Sequence, residues 1–295
     1  MRICLFNGGL GNQVFQYIFS RWMELATGEP CYLDDSAFWL DNVAHNGYEI
    51  PKVFPNSKPR LLSEFFEPDV WEYMVEQYKA GVPVYQQIKN LGEDIVVVTD
   101  NDSCRFDGRV VNAPENTYLP MLADYKGGNV YFYGYWINRE WLKGDFYNIL
   151  REELRFAPIT EEHNLRYASM ITTSLSISMH IRRGDFVELN RARTPQTYRV
   201  LVECTEQAID DAHYFIFSDD LEWCKANKKE LGLELGEGRV TFVEGNSGAI
   251  SSRDMQLMSM CKGNILVGGS SFSYLAALLN IHEAPITINS TERQV

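Results

Sequence analysis

A two-lobed α/β protein is the fold that this sequence predicts, and three observations carry the prediction. Short apolar runs alternate with amphipathic stretches of helical length, which is the pattern of a parallel sheet with crossover helices. The first run passes directly into a glycine loop and a helix. A helical stretch in mid-chain stops at Pro158, and the alternation then begins afresh.

In the first half, residues 1–6 (MRICLF) read as a strand, followed by Gly8 and Gly9 and by an amphipathic helix over 12–26 that Gly28 closes. Residues 31–34 (CYLD) read as the next strand. Residues 36–94 read as irregular, rich in aromatics and proline, with one helix over 62–78. The runs at 95–99 (IVVVT) and 130–137 (VYFYGYWI) read as strands, and 139–156 as a helix. The second half alternates more cleanly. Helices are expected at 161–172, 196–212, 220–231, 253–261 and 271–280, and strands at 175–181, 213–218, 240–244, 264–268 and 285–289. The expected lobes are therefore residues 1–157 and 158–295. In sheets of this type ligands bind beyond the carboxyl ends of the strands.

Composition narrows the function classes. The 295 residues carry a net charge of −13, which argues against a nucleic-acid binder, since that role needs clustered cations. With 45% hydrophobic residues and no run of about 18 apolar residues, the chain reads as globular and without a bilayer span. The start does not resemble a secretory signal, so a cytoplasmic protein is expected. Six scattered cysteines, without a CxxC pair, read as buried reduced thiols and not as a zinc site or disulfide framework.

Four constellations can carry chemistry. The loop around Gly9 and Gly11, with Asn12 and Gln13, allows backbone N–H groups to approach an anion or a sugar at a helix N-terminus; it equally fits a tight turn with Asn12 as N-cap. Its glycine spacing departs from the dinucleotide fingerprint, which counts against a nicotinamide-dependent oxidoreductase. His180, Arg182, Arg183 and Asp185 stand at the end of the strand 175–181. Two adjacent guanidinium groups at a strand tip need planar anionic partners, and a diphosphate is one; a surface ion-pair cluster is the plainer alternative. Ser218, Asp219 and Asp220 close the strand 213–218, where carboxylates suit the N1–H and N2–H₂ donors of guanine or cap the next helix. Ser270, Ser271, Phe272 and Ser273 follow Gly268 and Gly269 in a turn that fits either a phosphate nest or an ordinary N-cap.

A fifth pattern, Asp100-Asn101-Asp102, has the DxD spacing that many glycosyltransferases use for a metal ion. The arginine pair already offers positive charge for phosphate, so this DxD reads as a solvated turn. The aromatics from Tyr131 to Trp141 can stack on sugars, although aromatics in strands more often belong to the core.

Taken together, GGLGNQVFQY, HIRRGDF, FSDD and residues 254–280 resemble, in order and spacing, the alpha-1,2-fucosyltransferase family. One departure is visible: the family usually carries Phe-Ser-Trp-Trp where this chain has Phe272-Ser273-Tyr274-Leu275. The resemblance implies a GT-B fold of two Rossmann-like lobes, an acceptor-facing N-terminal lobe and a C-terminal lobe that binds GDP-fucose, with no metal and no other cofactor. It implies inverting transfer to O2 of a terminal β-galactose. Arg182 then matches the arginine that stabilises the departing phosphate, with Arg183 in support and Asn12 near the reacting centre. His180, Asp185 and one of Asp219 and Asp220 match guanosine contacts, and Ser271, Phe272 and Ser273 match the phosphate loop. The implied partners are GDP-fucose and a galactose-terminated oligosaccharide or lipid-linked glycan, with peripheral contact at the inner membrane face in the latter case.

Overall fold

The computed structural model describes residues 1–43, 45–100, 110–112 and 116–289, the side chains of 110–112 excepted. The described chain divides into two compact units, Met1–Ala157 and Pro158–Val295.

In the first unit, strand β1 (Arg2–Leu5) leads into helix α1 (Leu10–Thr27), then β2 (Cys31–Asp34), α2 (Ile50–Val53), α3 (Pro68–Lys79), α4 (Val84–Asn90), β3 (Ile95–Thr99), β4 (Val110–Asn112), β5 (Asn129–Tyr133) and α5 (Tyr147–Glu153). The five strands are all parallel, in the order β2-β1-β5-β3-β4. Helix α1 packs an almost continuously buried face, including Phe15, Tyr17, Ile18, Phe19, Trp22 and Met23, against the sheet. Gly28, left-handed at φ 71°, closes it by donating its N–H to Glu24 O at 2.8 Å.

Several expectations are corrected here. Among its described residues the segment 36–94 contains three α-helices, and two 3₁₀ turns, where one helix is expected. The strand expected over 130–137 stops at Tyr133, because Gly134 (φ 155°) and Trp136 (φ 55°) turn the chain. The helix expected over 139–156 is two short 3₁₀ turns followed by α5, with Gly144 (φ 73°) at the break. The aromatics of this region belong to the core: Tyr131, Trp136 and Trp141 are buried, and Phe19 stacks on Trp136 at 4.3 Å between centroids.

Asp100 is not a solvated turn. It is 4% exposed. Its Oδ2 accepts from the N–H of Trp136 at 2.8 Å and its Oδ1 from the N–H of Asn116 at 2.7 Å. A Cβ on Gly134 would lie 2.3 Å from Cβ of Asp100, so the two loops after the paired strands β3 and β5 close on each other only because residue 134 is glycine. Asn101 and Asp102 lie outside the described residues.

The second unit runs α6 (Glu162–Thr173), β6 (Ser176–Ile181), α7 (Gly184–Glu188), α8 (Pro195–Ala208), β7 (His213–Ser218), α9 (Leu221–Ala226), β8 (Val240–Phe242), α10 (Ser252–Met260), β9 (Gly263–Leu266), α11 (Ser271–Leu278) and β10 (Ile286–Asn289). Its five strands are again parallel, in the order β10-β9-β6-β7-β8. From β6 the chain steps outward to β7 and β8, then crosses to the other side for β9 and β10. The point of reversal lies between β6 and β9, where open α/β sheets form a ligand crevice at their carboxyl ends. Ile177, Met179, Ile181, Tyr214, Ile216 and Ile265 anchor the core beneath it. Helix α9 is shorter than the expected 220–231: it ends at Ala226, where the Asn227 side chain donates to Trp223 O at 2.8 Å.

Of the five described cysteines, all are free; Cys4, Cys31, Cys224 and Cys261 are buried as expected, whereas Cys204 is exposed. None of the described helices is long and apolar enough to cross a membrane.

Candidate active site

Register brings the candidate residues of the second unit together. Strands β6 and β7 pair with His180 opposite Phe217 and Ile181 opposite Ser218, so the next residues, Arg182-Arg183 and Asp219-Asp220, leave adjacent strand tips side by side. Ser218 Oγ ties the tips by donating to Ile181 O at 2.7 Å and accepting from Asp220 N at 3.0 Å.

The carboxylates at the tips grip the arginines. Arg182 pairs through Nη1 with Asp219 Oδ2 at 2.7 Å and through Nη2 with Asp185 Oδ1 at 2.7 Å. Asp219 Oδ1 also accepts from the backbone N–H of Arg183 at 2.8 Å. Arg183 Nε donates to Asp220 Oδ2 at 3.1 Å, and its guanidinium carbon lies 3.6 Å from the centre of the Trp223 ring. Asp220 Oδ1 accepts from Trp223 N at 3.2 Å, so this carboxylate caps α9 as well as holding Arg183. The ion-pair cluster weighed in the sequence is thus present. Guanidinium carries five N–H donors, so each arginine keeps free donors for a further anion. Arg182 is the more open of the two, with a side chain 33% exposed against 18% for Arg183.

One glycine makes this clamp feasible, and a second shapes the turn beside His180. A Cβ on Gly184 would come 2.7 Å from Asp219 Oδ2 and displace the carboxylate that holds both arginines. Gly269 takes φ 104°, turning the chain after β9 so that Ser270 caps α11 by accepting from Ser273 N. Ser270 Oγ lies 3.5 Å from His180 Nδ1, and the rings of His180 and Phe272 are 5.5 Å apart. The reversal between β6 and β9 is therefore lined by His180 on one side and the turn from Gly268 to Ser273 on the other, with Ser271 opening α11. Burial pushes the His180 pKa down to about 4; Asp219 opposes the shift and Arg182 adds to it. The imidazole is accordingly neutral at physiological pH.

The glycine loop lies in the first unit and has a different economy from the one its sequence suggests. Helix α1 starts at Leu10 with Gly9 as N-cap, so Asn12 sits inside the first turn and is not the cap. Gln13 is fully buried and its amide is engaged in internal bonds. Its Nε2 donates to Gly8 O at 2.8 Å and Gly47 O at 2.7 Å, and its Oε1 accepts from Glu49 N at 3.0 Å. Gly8 takes the left-handed φ of 80°. Gly9, at φ −75°, is needed for another reason: a Cβ there would meet the His45 ring at 3.3 Å. Gly11 is buried in the helix.

Trp223, Phe186 and His45 were not singled out from the sequence. Phe186, whose ring lies 5.8 Å from the Arg182 guanidinium carbon, and Trp223 each stand three or four residues beyond a recognised charge, on the first turns of α7 and α9. Helical spacing was the available signal for both. Among the described residues no group of three or more His, Cys, Asp or Glu side chains is placed to hold a metal ion.

The comparisons with known proteins agree with this architecture. The model of Glycosyl transferase family 11 matches residues 122–294. An alpha-1,2-colitosyltransferase from Escherichia coli is 34% identical over 96% of this chain and 89% of that protein. The O-antigen biosynthesis glycosyltransferase WbnK from Escherichia coli is 30% identical over 98% of this chain and 93% of its own. In fold, the crystal structure of the NodZ alpha-1,6-fucosyltransferase soaked with GDP-fucose superposes with a TM-score of 0.51 at 15% identity, covering 94% of this chain and 92% of that one. The two parallel sheets are those of the GT-B type, and the chain belongs to glycosyl transferase family 11.

Proposed function

We propose that this glycosyltransferase moves L-fucose from GDP-β-L-fucose to O2 of a terminal β-galactoside, on an oligosaccharide or lipid-linked glycan, with inversion at the anomeric carbon. The observation that carries the reading is the clamped arginine pair at the tip of β6, the strand that borders the reversal and whose His180 lies beside the Gly-Ser turn at the N-terminus of α11. Fixed guanidinium donors suit a diphosphate whose charge grows as it leaves.

In this reading the second unit binds the donor and the first unit the acceptor. The bond from the sugar C1 to the β-phosphate oxygen breaks with its electron pair going to GDP, and the acceptor oxygen forms the new bond to C1 from the opposite face. Arg182 stabilises the departing phosphate because its remaining N–H donors are already oriented by Asp185 and Asp219. Arg183, stacked on Trp223, supports it. His180 is a neutral hydrogen-bonding wall toward the nucleoside, and Asp219 and Asp220 combine arginine positioning with the acidic edge that suits guanine. The arginines replace a metal ion in charge neutralisation.

A second donor deserves a parallel test because a 34% identical relative is named an alpha-1,2-colitosyltransferase. Colitose is fucose without its 3-hydroxyl, so GDP-colitose has the same diphosphate and the same inverting chemistry. Offering GDP-fucose, GDP-colitose and GDP-mannose with β-galactoside acceptors, and determining the product linkage by NMR, decides between the donors. An α-1,2-fucoside is the expected product; turnover of GDP-colitose alone would replace fucose by colitose.

A further inference from the structure

One apolar ring stands among the charges of the arginine clamp, and the proposed reaction gives it no task. Phe186 follows Asp185 on the first turn of α7 and is only half-buried, beside Arg182 and the carboxylates that hold it. Its ring centre lies 5.8 Å from the Arg182 guanidinium carbon. Its Cε2 lies 3.7 Å from where a Cβ of Gly269 would be, so the ring rests on the bare backbone of the turn after β9. Phe186 therefore reaches from the tip of β6 to the turn beyond β9, across the strand reversal, and every residue of this contact belongs to the second unit.

The ring is also held in place. Phe186 O accepts from Arg191 N at 2.7 Å and from Ala192 N at 2.9 Å, so the chain beyond α7 folds back onto this residue. The other aromatic ring at the reversal, Phe272, lies 5.5 Å from the His180 ring. Phe272 thus sits with the neutral imidazole, and Phe186 with the guanidinium that faces the leaving phosphate. An apolar ring left half-exposed in a polar crevice is stabilised by an apolar group on the ligand.

The chemistry of the donor supplies one such group. GDP-fucose carries a single methyl, on C5 of its sugar, and GDP-colitose carries the same one. That sugar is joined through C1 to the β-phosphate, the group that Arg182 holds in the proposed reaction, whereas guanine stands at the far end of the diphosphate.

We infer that Phe186 selects the donor sugar: its ring packs against the C5 methyl of a 6-deoxyhexose and disfavours a sugar with a hydroxyl on C6. The inference rests on the proposed reading of this site as one for GDP-fucose or its 3-deoxy counterpart, and adds the side chain that distinguishes these from a hexose donor. GDP-L-galactose is the matching probe, because L-galactose is L-fucose with a hydroxyl on C6.

The test measures binding of GDP, GDP-fucose and GDP-L-galactose by calorimetry, without acceptor, to wild type, Phe186→Ser and Phe186→Leu. A hydroxyl turned against an apolar wall loses its hydrogen bonds to water, so wild type should bind GDP-fucose about 10- to 100-fold more tightly than GDP-L-galactose. Phe186→Ser should bring that ratio below about threefold while GDP affinity stays within about threefold of wild type, because GDP has no sugar to select. Phe186→Leu, still apolar, should keep most of the ratio. Wild type that binds both GDP-sugars equally overturns the inference, as does a Phe186→Ser protein that keeps the wild-type ratio. So does an equal loss for GDP and both GDP-sugars, which would mark Phe186 as a support for Arg182 or a stacking face for guanine. Transfer to a β-galactoside is assayed separately: wild type that selects GDP-fucose in binding but transfers no fucose sinks the proposed reaction and leaves the selection by Phe186 standing.

Discussion

Arg182 and Asp219 come from neighbouring parallel strands and meet at 2.7 Å, while the other oxygen of the same carboxylate holds the backbone N–H of Arg183. One aspartate thus sets the position of both arginines, and the guanidinium of Arg182 is oriented before any ligand arrives. Preorganised charge of this kind acts most strongly on a transition state.

Arg182→Lys keeps the positive charge but cannot satisfy Asp185 and Asp219 while presenting a planar fork. We expect kcat to fall about 10²–10³-fold, about 3–4 kcal/mol, with a much smaller loss of GDP affinity because Arg183 and the turn from Gly268 to Ser273 are retained. Steady-state kinetics beside calorimetry checks this. A raised KM at normal kcat would reduce Arg182 to a binding residue.

Trp223→Leu removes the ring beneath Arg183 while leaving Asp220 to cap α9. Cation–π contacts contribute about 0.5–2 kcal/mol, so GDP binding should weaken roughly 2- to 30-fold, with kcat at saturating donor changed little. Titration calorimetry on the variant reads the difference directly, and an unchanged dissociation constant would show that Asp220 alone fixes Arg183.

Asp100→Ala leaves the N–H groups of Asn116 and Trp136 without their acceptor. Each unsatisfied buried group costs about 1–3 kcal/mol, so the variant should unfold at lower urea than wild type. Activity, by contrast, is expected to persist in excess EDTA for wild type and for whatever fraction of the variant remains folded. Loss of wild-type activity in EDTA, restored by Mn²⁺, would contradict charge neutralisation by arginine.

Two half-buried groups give stability opposite pH dependences. His180, lowered from 6.5 to about 4, is neutral in the folded chain and protonated in the unfolded chain between those values. The unfolded state binds more protons there, so this contribution is full above pH 6.5 and is lost as pH falls toward 4. Asp254, raised by burial from 3.8 to about 7 despite the hydrogen bond from Asn246, behaves inversely: its contribution is present below pH 3.8 and is lost as pH rises toward 7. Asp254→Asn should therefore gain stability relative to wild type at pH 8 and not at pH 4. Urea midpoints at the two pH values measure it; an equal shift at both would refute the assignment.

Much of this molecule is legible in its sequence wherever one strand or helix decides the outcome. The parallel alternation, the break at Pro158 and the gathering of Arg182, Arg183, Asp219 and Asp220 at strand tips follow from periodicity and position. What periodicity could not reveal is which partners answer each other across distant segments. Gly134 reads as part of an aromatic strand until Asp100 is seen filling the space where its side chain would be. Gln13 reads as a hydrogen-bonding group of the glycine loop, and its bonds to Gly8, Gly47 and Glu49 across the chain carry no sequence signal. Gly9 reads as a backbone approach to an anion, and nothing in its sequence shows that the His45 ring lies where its side chain would be. Trp223 carries no motif, and its value comes only from lying against Arg183.

The clamp of Arg182 and Arg183 by Asp185, Asp219 and Asp220 has a kinetic consequence. Two guanidiniums against three carboxylates leave the rim of the cluster formally acidic, on a chain whose net charge is already −13. A nucleoside diphosphate approaching from a distance meets repulsion and feels the arginines only at close range. Added salt shortens the reach of the repulsion, from a Debye length of about 30 Å at 0.01 M to about 10 Å at 0.1 M. The association rate of GDP should accordingly rise with ionic strength over that range, the reverse of what an arginine-lined phosphate site on a cationic protein would show.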